Sequence, residues 1–350
     1  MTKRMPYLDS IRFLACTWVF INHFFDDMSP MYLMLWKIKP YSYFLGGFNV
    51  KVGVATFAVI LGFLAAKSGA GKSKSFLRYT VNRYIYFLIA GLLAGILLMC
   101  FYKLAPSDMW VMQADFASLS LAGAAKQIVS DAIKLGCTIY ETFWFIKPFF
   151  YASIICFILG MFDVTIIPML ILDFILYTTG QGWIAICTFG AVLYRLVESG
   201  ILSSFLDKRY IRIILIAAAV VILKLFPEES AVTYYFDGIA CTIFLFVVFH
   251  SSFLQKILTW NKLNAVTKNY MAFLILHRQV FHALSALING RFAGILQNPG
   301  WMLAIMLLCY IVTVALSIPF DYILNSLYKF ACRVAKLIPF EKLESRAEVC

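Results

Sequence analysis

Near its start the chain reads YLDSIRFLACTWVFINHF, positions 7 to 24, which sets Asp9, Arg12 and His23 in an otherwise apolar run. On a helix turning 100° per residue, the step from 12 to 23 returns to within about 20° of the same face and climbs about 16.5 Å. A guanidinium and an imidazole on one face of one helix suit two different tasks. Arginine stays charged and grips phosphate in a bidentate fork. Neutral imidazole, with a reference pKa near ~6.5, accepts protons at physiological pH. Asp9 can pair with Arg12 across one turn, and Asp26 stands in the same i, i+3 relation to His23. The plainer alternative is a snorkelling arginine and a histidine satisfied by a neighbouring helix. Ionisable groups inside apolar spans are costly and usually face an interior cavity, which favours the chemical reading.

Other stretches add polar groups. YMAFLILHRQVFHALSALI at 270–288 gathers His277, Arg278 and His282, and ETFWFIKPFFY at 141–151 places Lys147 before a Pro148 predicted to kink its helix. Lys51, Asp173, Asp237 and His250 are read as side chains reaching a membrane interface. Nine cysteines occur with no CxxC and no Cys/His ligand spacing, so they are packing residues and no metal site is expected. SGAGKSKS at 68–75 has glycines without the P-loop spacing and reads as a cationic loop.

The elements that must position these groups follow from composition. The 350 residues are 62% hydrophobic and 14% charged, against about 25% charged in soluble domains, with a mean hydropathy of +0.84. The fold class is therefore all-α: a polytopic transmembrane helical bundle of about ten spans, near 8–25, 49–66, 84–102, 142–160, 162–179, 183–198, 211–226, 234–254, 270–288 and 300–319. The first run has no small-residue cleavage site and contains Arg12 and His23, so it reads as a retained span rather than a signal peptide. Lys67, Lys72, Lys74, Arg78 and Arg83 mark one cytoplasmic loop, and Lys256, Lys262 and Lys268 another. Acid-bearing loops at 103–141 and between spans seven and eight face outward, which puts both termini inside. The formal charge of +12 is thus a topology signal, and no basic, aromatic-interleaved polar surface suggests nucleic acid. The sequence shows no internal repeat. The C-terminal LNSLYKFACRVAKLIPFEKLESRAEVC alternates apolar and basic residues as an interfacial helix would, giving a membrane domain at 1–322 and a cytoplasmic amphipathic tail at 323–350.

These pieces, taken in order, resemble the acyltransferase 3 family of membrane O-acyltransferases. YLDSIRFLACTWVFINHF is similar to the family's first helix, with Arg, ten residues, then His. TFAVILGFL at 56–64 resembles its Phe-Phe-x-x-Ser-Gly-Phe-Leu stretch, FLRYTVNRYIY at 76–86 its Arg-x-x-Arg segment, FWFIKPFFY at 143–151 its Trp-Phe element, and TKNYMAFLILH at 267–277 its Ser-Tyr-x-x-Tyr-Leu-x-His element. The resemblance covers about 7 to 320. Four departures stand out: Thr80 takes the place of the first arginine, Leu61 of the serine before Gly62, Asn269 of a serine and Phe273 of the second tyrosine. The resemblance implies transfer of an acetyl group from cytosolic acetyl-CoA to a hydroxyl of a cell-surface or lipid-linked glycan, in a multi-pass protein of the bacterial cytoplasmic membrane.

Chemistry distributes the residues. His23 is the expected general base. Asp26 or His277 would orient it. Arg12, Arg78 and Arg83 would hold the phosphates of coenzyme A, and Trp144, Lys147, Tyr270 and Arg278 would line the acceptor site. A polysaccharide-unit transporter is the competing class and would require repeats and paired broken helices. A non-catalytic membrane sensor, its basic loops on anionic lipid, is a third.

Overall fold

The computed structural model describes residues 5–27, 50–71, 75–104, 118–136, 144–200, 203–225, 231–260, 265–292, 294–295 and 298–335. Among them every regular element is helical: α1 (Pro6–Asp27), α2 (Val50–Gly69), α3 (Phe76–Leu104), α4 (Leu121–Lys134), α5 (Ile146–Met161), α6 (Ile166–Thr178), α7 (Gly182–Ser199), α8 (Arg209–Leu225), α9 (Ala231–Phe249), α10 (Ser252–Leu258), α11 (Tyr270–Arg291) and α12 (Pro299–Ala335), with one further turn at Ser203–Leu206. Helix is what apolar segments must adopt in lipid, where no water satisfies a backbone N–H or C=O. Nine of the ten apolar segments read from the sequence overlap one helix each; the eighth, 234–254, does not, because it runs over the end of α9 at Phe249 into α10 across a 96° bend. Four of the described helices, α2, α3, α11 and α12, are long and apolar enough to cross a membrane, and the bent pair α9–α10 raises this to five. At 16 and 13 residues, α5 and α6 are apolar but shorter than the ~20 residues of a straight span.

The chain divides into two compact units. The first comprises residues 1–19, 38–76 and 148–268, and the second 20–37, 77–147 and 269–350. In the first unit α2 packs against α7 and α9, α7 against α6 and α9, and α8 against α9. Glycine permits the tightest crossings. A Cβ on Gly62 would run into the Cys187 carbonyl, and one on Gly190 into the Val59 carbonyl; Gly69 and Gly160 play the same parts where α2 meets α5. Small residues at these points let backbones approach closely, so that the helices gain the van der Waals contact that helps to hold them together in lipid. Gly62→Ala is therefore expected to force α2 and α7 apart at a cost of about 1–3 kcal/mol, read as a lowered detergent-melting midpoint. An unchanged midpoint would remove the crossing from the account.

The same unit corrects the interfacial reading of its charges. Asp173, Asp237 and Lys51 are all buried within it. The Thr188 hydroxyl donates to Asp173 at 2.6 Å. The Lys51 ammonium lies 4.0 Å from the centroid of the Tyr234 ring and interacts electrostatically with Asp237. Partners on neighbouring helices, rather than the interface, compensate these groups.

In the second unit α11 packs along α12. The 103–141 segment, read as a loop, contains α4, capped by the Ser120 hydroxyl accepting from the Gly123 N–H at 3.2 Å. Ile128 of α4 fills the space over Gly95 of α3, and the Tyr84 hydroxyl donates to the Ile133 carbonyl at 2.8 Å. One further expectation fails. Pro148 does not kink a helix: α5 begins at Ile146, and proline in a first turn lacks only an N–H that has no intrahelical partner. α12 runs unbroken from Pro299 to Ala335 with Pro319 inside it, so the first residues of the expected tail continue this helix. The rest of the expected tail, 336–350, lies outside the described residues.

Candidate active site

α1 contributes its first half to the first unit and its second half, from Phe20, to the other. In the first half Arg12 is buried and reaches Asp9 at 3.5 Å, the i, i+3 pair expected from the sequence. In the second half His23, half-buried, meets α11. Its ring stacks on that of His277, with centroids 5.7 Å apart and planes 21° from parallel.

Aromatic residues surround this pair. Phe20, one turn before His23, touches Phe273, His277, Phe281 and Tyr310, all at centroid distances of 5.5 to 6.4 Å. On α11, Tyr270, Phe273, His277 and Phe281 follow a 3, 4, 4 spacing and so form a stripe along one face. Phe273 lies nearly parallel to His277, 6° between planes at 6.3 Å. His277 itself is fully buried. Its Nδ1 is 2.7 Å from the Leu274 carbonyl, a contact that an Nδ1–H makes as donor. That bond fixes the neutral ring's proton on Nδ1 and gives Nε2 the lone pair.

Two turns towards the N-terminus of α11, the stripe starts at Tyr270 beside a cation. Arg83 of α3 donates from Nε to the Tyr79 hydroxyl at 3.2 Å and lies over that ring, with its guanidinium carbon 5.5 Å from the centroid. Tyr86, Tyr270 and Tyr328 are within electrostatic reach of the same guanidinium. Tyr86 and Tyr328 themselves meet edge to face at 5.3 Å. Arg83 thus sits in a ring of phenols, and about 10.5 Å of helix separates Tyr270 from His277.

The remaining expected residues are placed as follows. Arg78 is exposed on α3; five residues from Arg83, it points about 140° away, so Tyr79, at i−4, shares the arginine's face instead. Arg278 is buried on α11, about 100° round from His277. Trp144 and Lys147 are exposed at the start of α5. The side chain of Asp26 lies outside the described residues. Sequence reading missed Phe20, which packs on His277, and Tyr310, which packs on Phe20 and Phe273; they carry no chemical signal of their own. His282, noted but given no role, is fully buried one turn beyond Arg278. Among the described residues no group of three or more His, Cys, Asp or Glu side chains could hold a metal ion.

A histidine pair set among aromatic rings, with an arginine two turns along the same stripe, has the parts of a group-transfer site for an anionic donor. A family model described as an acyltransferase domain matches residues 5–318. The chain belongs to that acyltransferase 3 family. It is accordingly a membrane acyltransferase. The match takes in both histidines, the tyrosine-ringed arginine and the whole of the stripe on α11. No curated protein and no solved structure matches the chain.

Proposed function

We propose that this acyltransferase carries an acetyl group from cytosolic acetyl-CoA to a hydroxyl of a cell-surface or lipid-linked glycan, with His23 as general base. The observation that supports it best is the stacked His23–His277 pair, joined to Arg83 by the aromatic stripe of α11. In this reading Arg83 holds a phosphate of the donor and the acyl-pantetheine arm runs along Tyr270 and Phe273 to the histidines. Trp144, Lys147, Tyr270 and Arg278 contact the acceptor, and Asp26 orients the His23 ring.

The reaction needs no other reactant. His23 takes the proton of the acceptor hydroxyl as its oxygen adds to the thioester carbonyl; the tetrahedral adduct collapses, the C–S bond breaks, and the imidazolium returns the proton to the departing thiolate. One alcohol and one thioester become one ester and one thiol. His277, its Nδ1–H committed to the Leu274 carbonyl, presents Nε2 as a second proton acceptor beside His23.

The functional topology is ten spans in the bacterial cytoplasmic membrane with both termini inside. A cysteine introduced at Ser118 should then react with an impermeant maleimide in intact cells, and one at Ser252 only after permeabilisation; the reverse pattern would overturn it. A transporter would require broken helices in matching positions of two repeats. One bent pair, α9–α10, is present among the described residues, and its helices turn 96° at the break. The function itself is tested by following labelled acetyl from acetyl-CoA into the glycan of membranes that contain the protein.

A further inference from the structure

The right-angle elbow between α9 and α10 lies wholly within the first unit and takes no part in the reaction described above. It is a built feature. The amide of Gln255 donates back to the Val248 and Phe249 carbonyls at 3.0 and 2.9 Å, and Arg212 of α8 donates to the His250 carbonyl at 3.3 Å. These are the carbonyls that a helix end leaves without intrahelical partners. Ser251 caps the new helix, its hydroxyl accepting from the Leu254 N–H at 3.3 Å. With the last carbonyls of α9 held by side chains, α10 is fixed across the axis of its predecessor at 96°.

What α10 presents is unlike a soluble surface. Phe253, Ile257 and Trp260 are 69%, 52% and 61% exposed; Phe253 and Ile257, four residues apart, share a face of the helix, and Trp260 follows its Thr259 cap. Lys256 is exposed beside them. From Ser251 to Asn269 the chain has three lysines, at 256, 262 and 268, and no acid. Two large apolar side chains on a helix perpendicular to an apolar one, a tryptophan just past its end and cationic flanks are the composition of a segment lying in the headgroup layer. The far end of this arm grips α1: the Ser10 hydroxyl, buried, donates to the Leu258 carbonyl at 2.5 Å and lies 3.3 Å from the Thr267 hydroxyl.

We propose that α10 is an in-plane membrane arm that seats on an anionic lipid surface and, through Ser10, steadies the first turns of α1. Apolar side chains enter the headgroup–acyl boundary while the lysines meet lipid phosphate, each worth about a fivefold change in lipid affinity. The arm makes α1, the helix that carries both Arg12 and His23, sensitive to the leaflet beneath it.

Two measurements on the full chain in nanodiscs test this. First, the tryptophan emission lost in Trp260→Phe should be quenched most by lipids brominated near the headgroup end of the acyl chain. Quenching by aqueous iodide instead, or best quenching by bromine at the chain terminus, would overturn the in-plane placement. Second, hydrogen exchange in the first turns of α1 should be slower in phosphatidylglycerol-containing discs than in phosphatidylcholine alone. That difference should shrink in Lys256→Ala/Lys268→Ala and vanish in Ser10→Ala. Equal exchange in both lipids by the wild-type protein would overturn the coupling. Neither readout depends on acyl transfer.

Discussion

His23→Ala is expected to lower acyl transfer about 10²–10⁴-fold, the usual loss for a positioned base, while leaving the fold and coenzyme A binding in place. The folding expectation follows from position. His23 is half-buried, and the packing of α1 on α11 rests on Phe20 and Phe24, both fully buried and both in contact with Phe281. The effect is to be read as initial rate of thiol release in the presence of acceptor. His277→Ala should cost less than His23→Ala if His23 is the primary base. A larger loss in His277→Ala, with the fold intact, would move the base to α11.

Arg83→Ala is expected to weaken coenzyme A binding by about 1.5–3 kcal/mol, the range for a charge-assisted hydrogen bond, which is roughly 10- to 150-fold in Kd. Arg83→Lys keeps the charge but loses the planar fork and should recover only part of the affinity, which separates phosphate binding from a general loss of the tyrosine ring. Wild-type binding should also weaken with salt, as an ionic contact near an aqueous surface does. Isothermal titration calorimetry in detergent reads all of these. Unchanged affinity in Arg83→Ala would remove that arginine from donor binding.

Much of this architecture is legible from apolar runs, because lipid forces a long apolar segment into a helix whatever its neighbours. The Asp9–Arg12 pair is legible for the same local reason: i, i+3 spacing fixes it within one turn. What is not legible depends on tertiary neighbours. Spacing offered Asp26 and His277 as equal partners for His23, and only the packing of α1 on α11 brings the second imidazole to 5.7 Å. Arg78 is expected beside Arg83 on the donor phosphates, yet five residues of helix turn it to another face. The elbow after Phe249 has no proline or glycine to announce it in VVFHSSF; a glutamine side chain and an arginine from another helix hold it. Pro148 gave the opposite error, since a proline breaks a helix only where an N–H was needed, and the start of α5 at Ile146 removes that need.

The central claim is that the His23–His277 site moves an acyl group from coenzyme A to a hydroxyl. Its most direct test is transfer of radiolabelled acetyl from acetyl-CoA, added to inside-out membrane vesicles, into alkali-labile ester on the glycan fraction. Vesicles with the wild-type protein should accumulate that label, and vesicles with equal amounts of folded, coenzyme A-binding His23→Ala should not. Equal label in the two, or none in the wild type with its glycan acceptor present, would contradict the account.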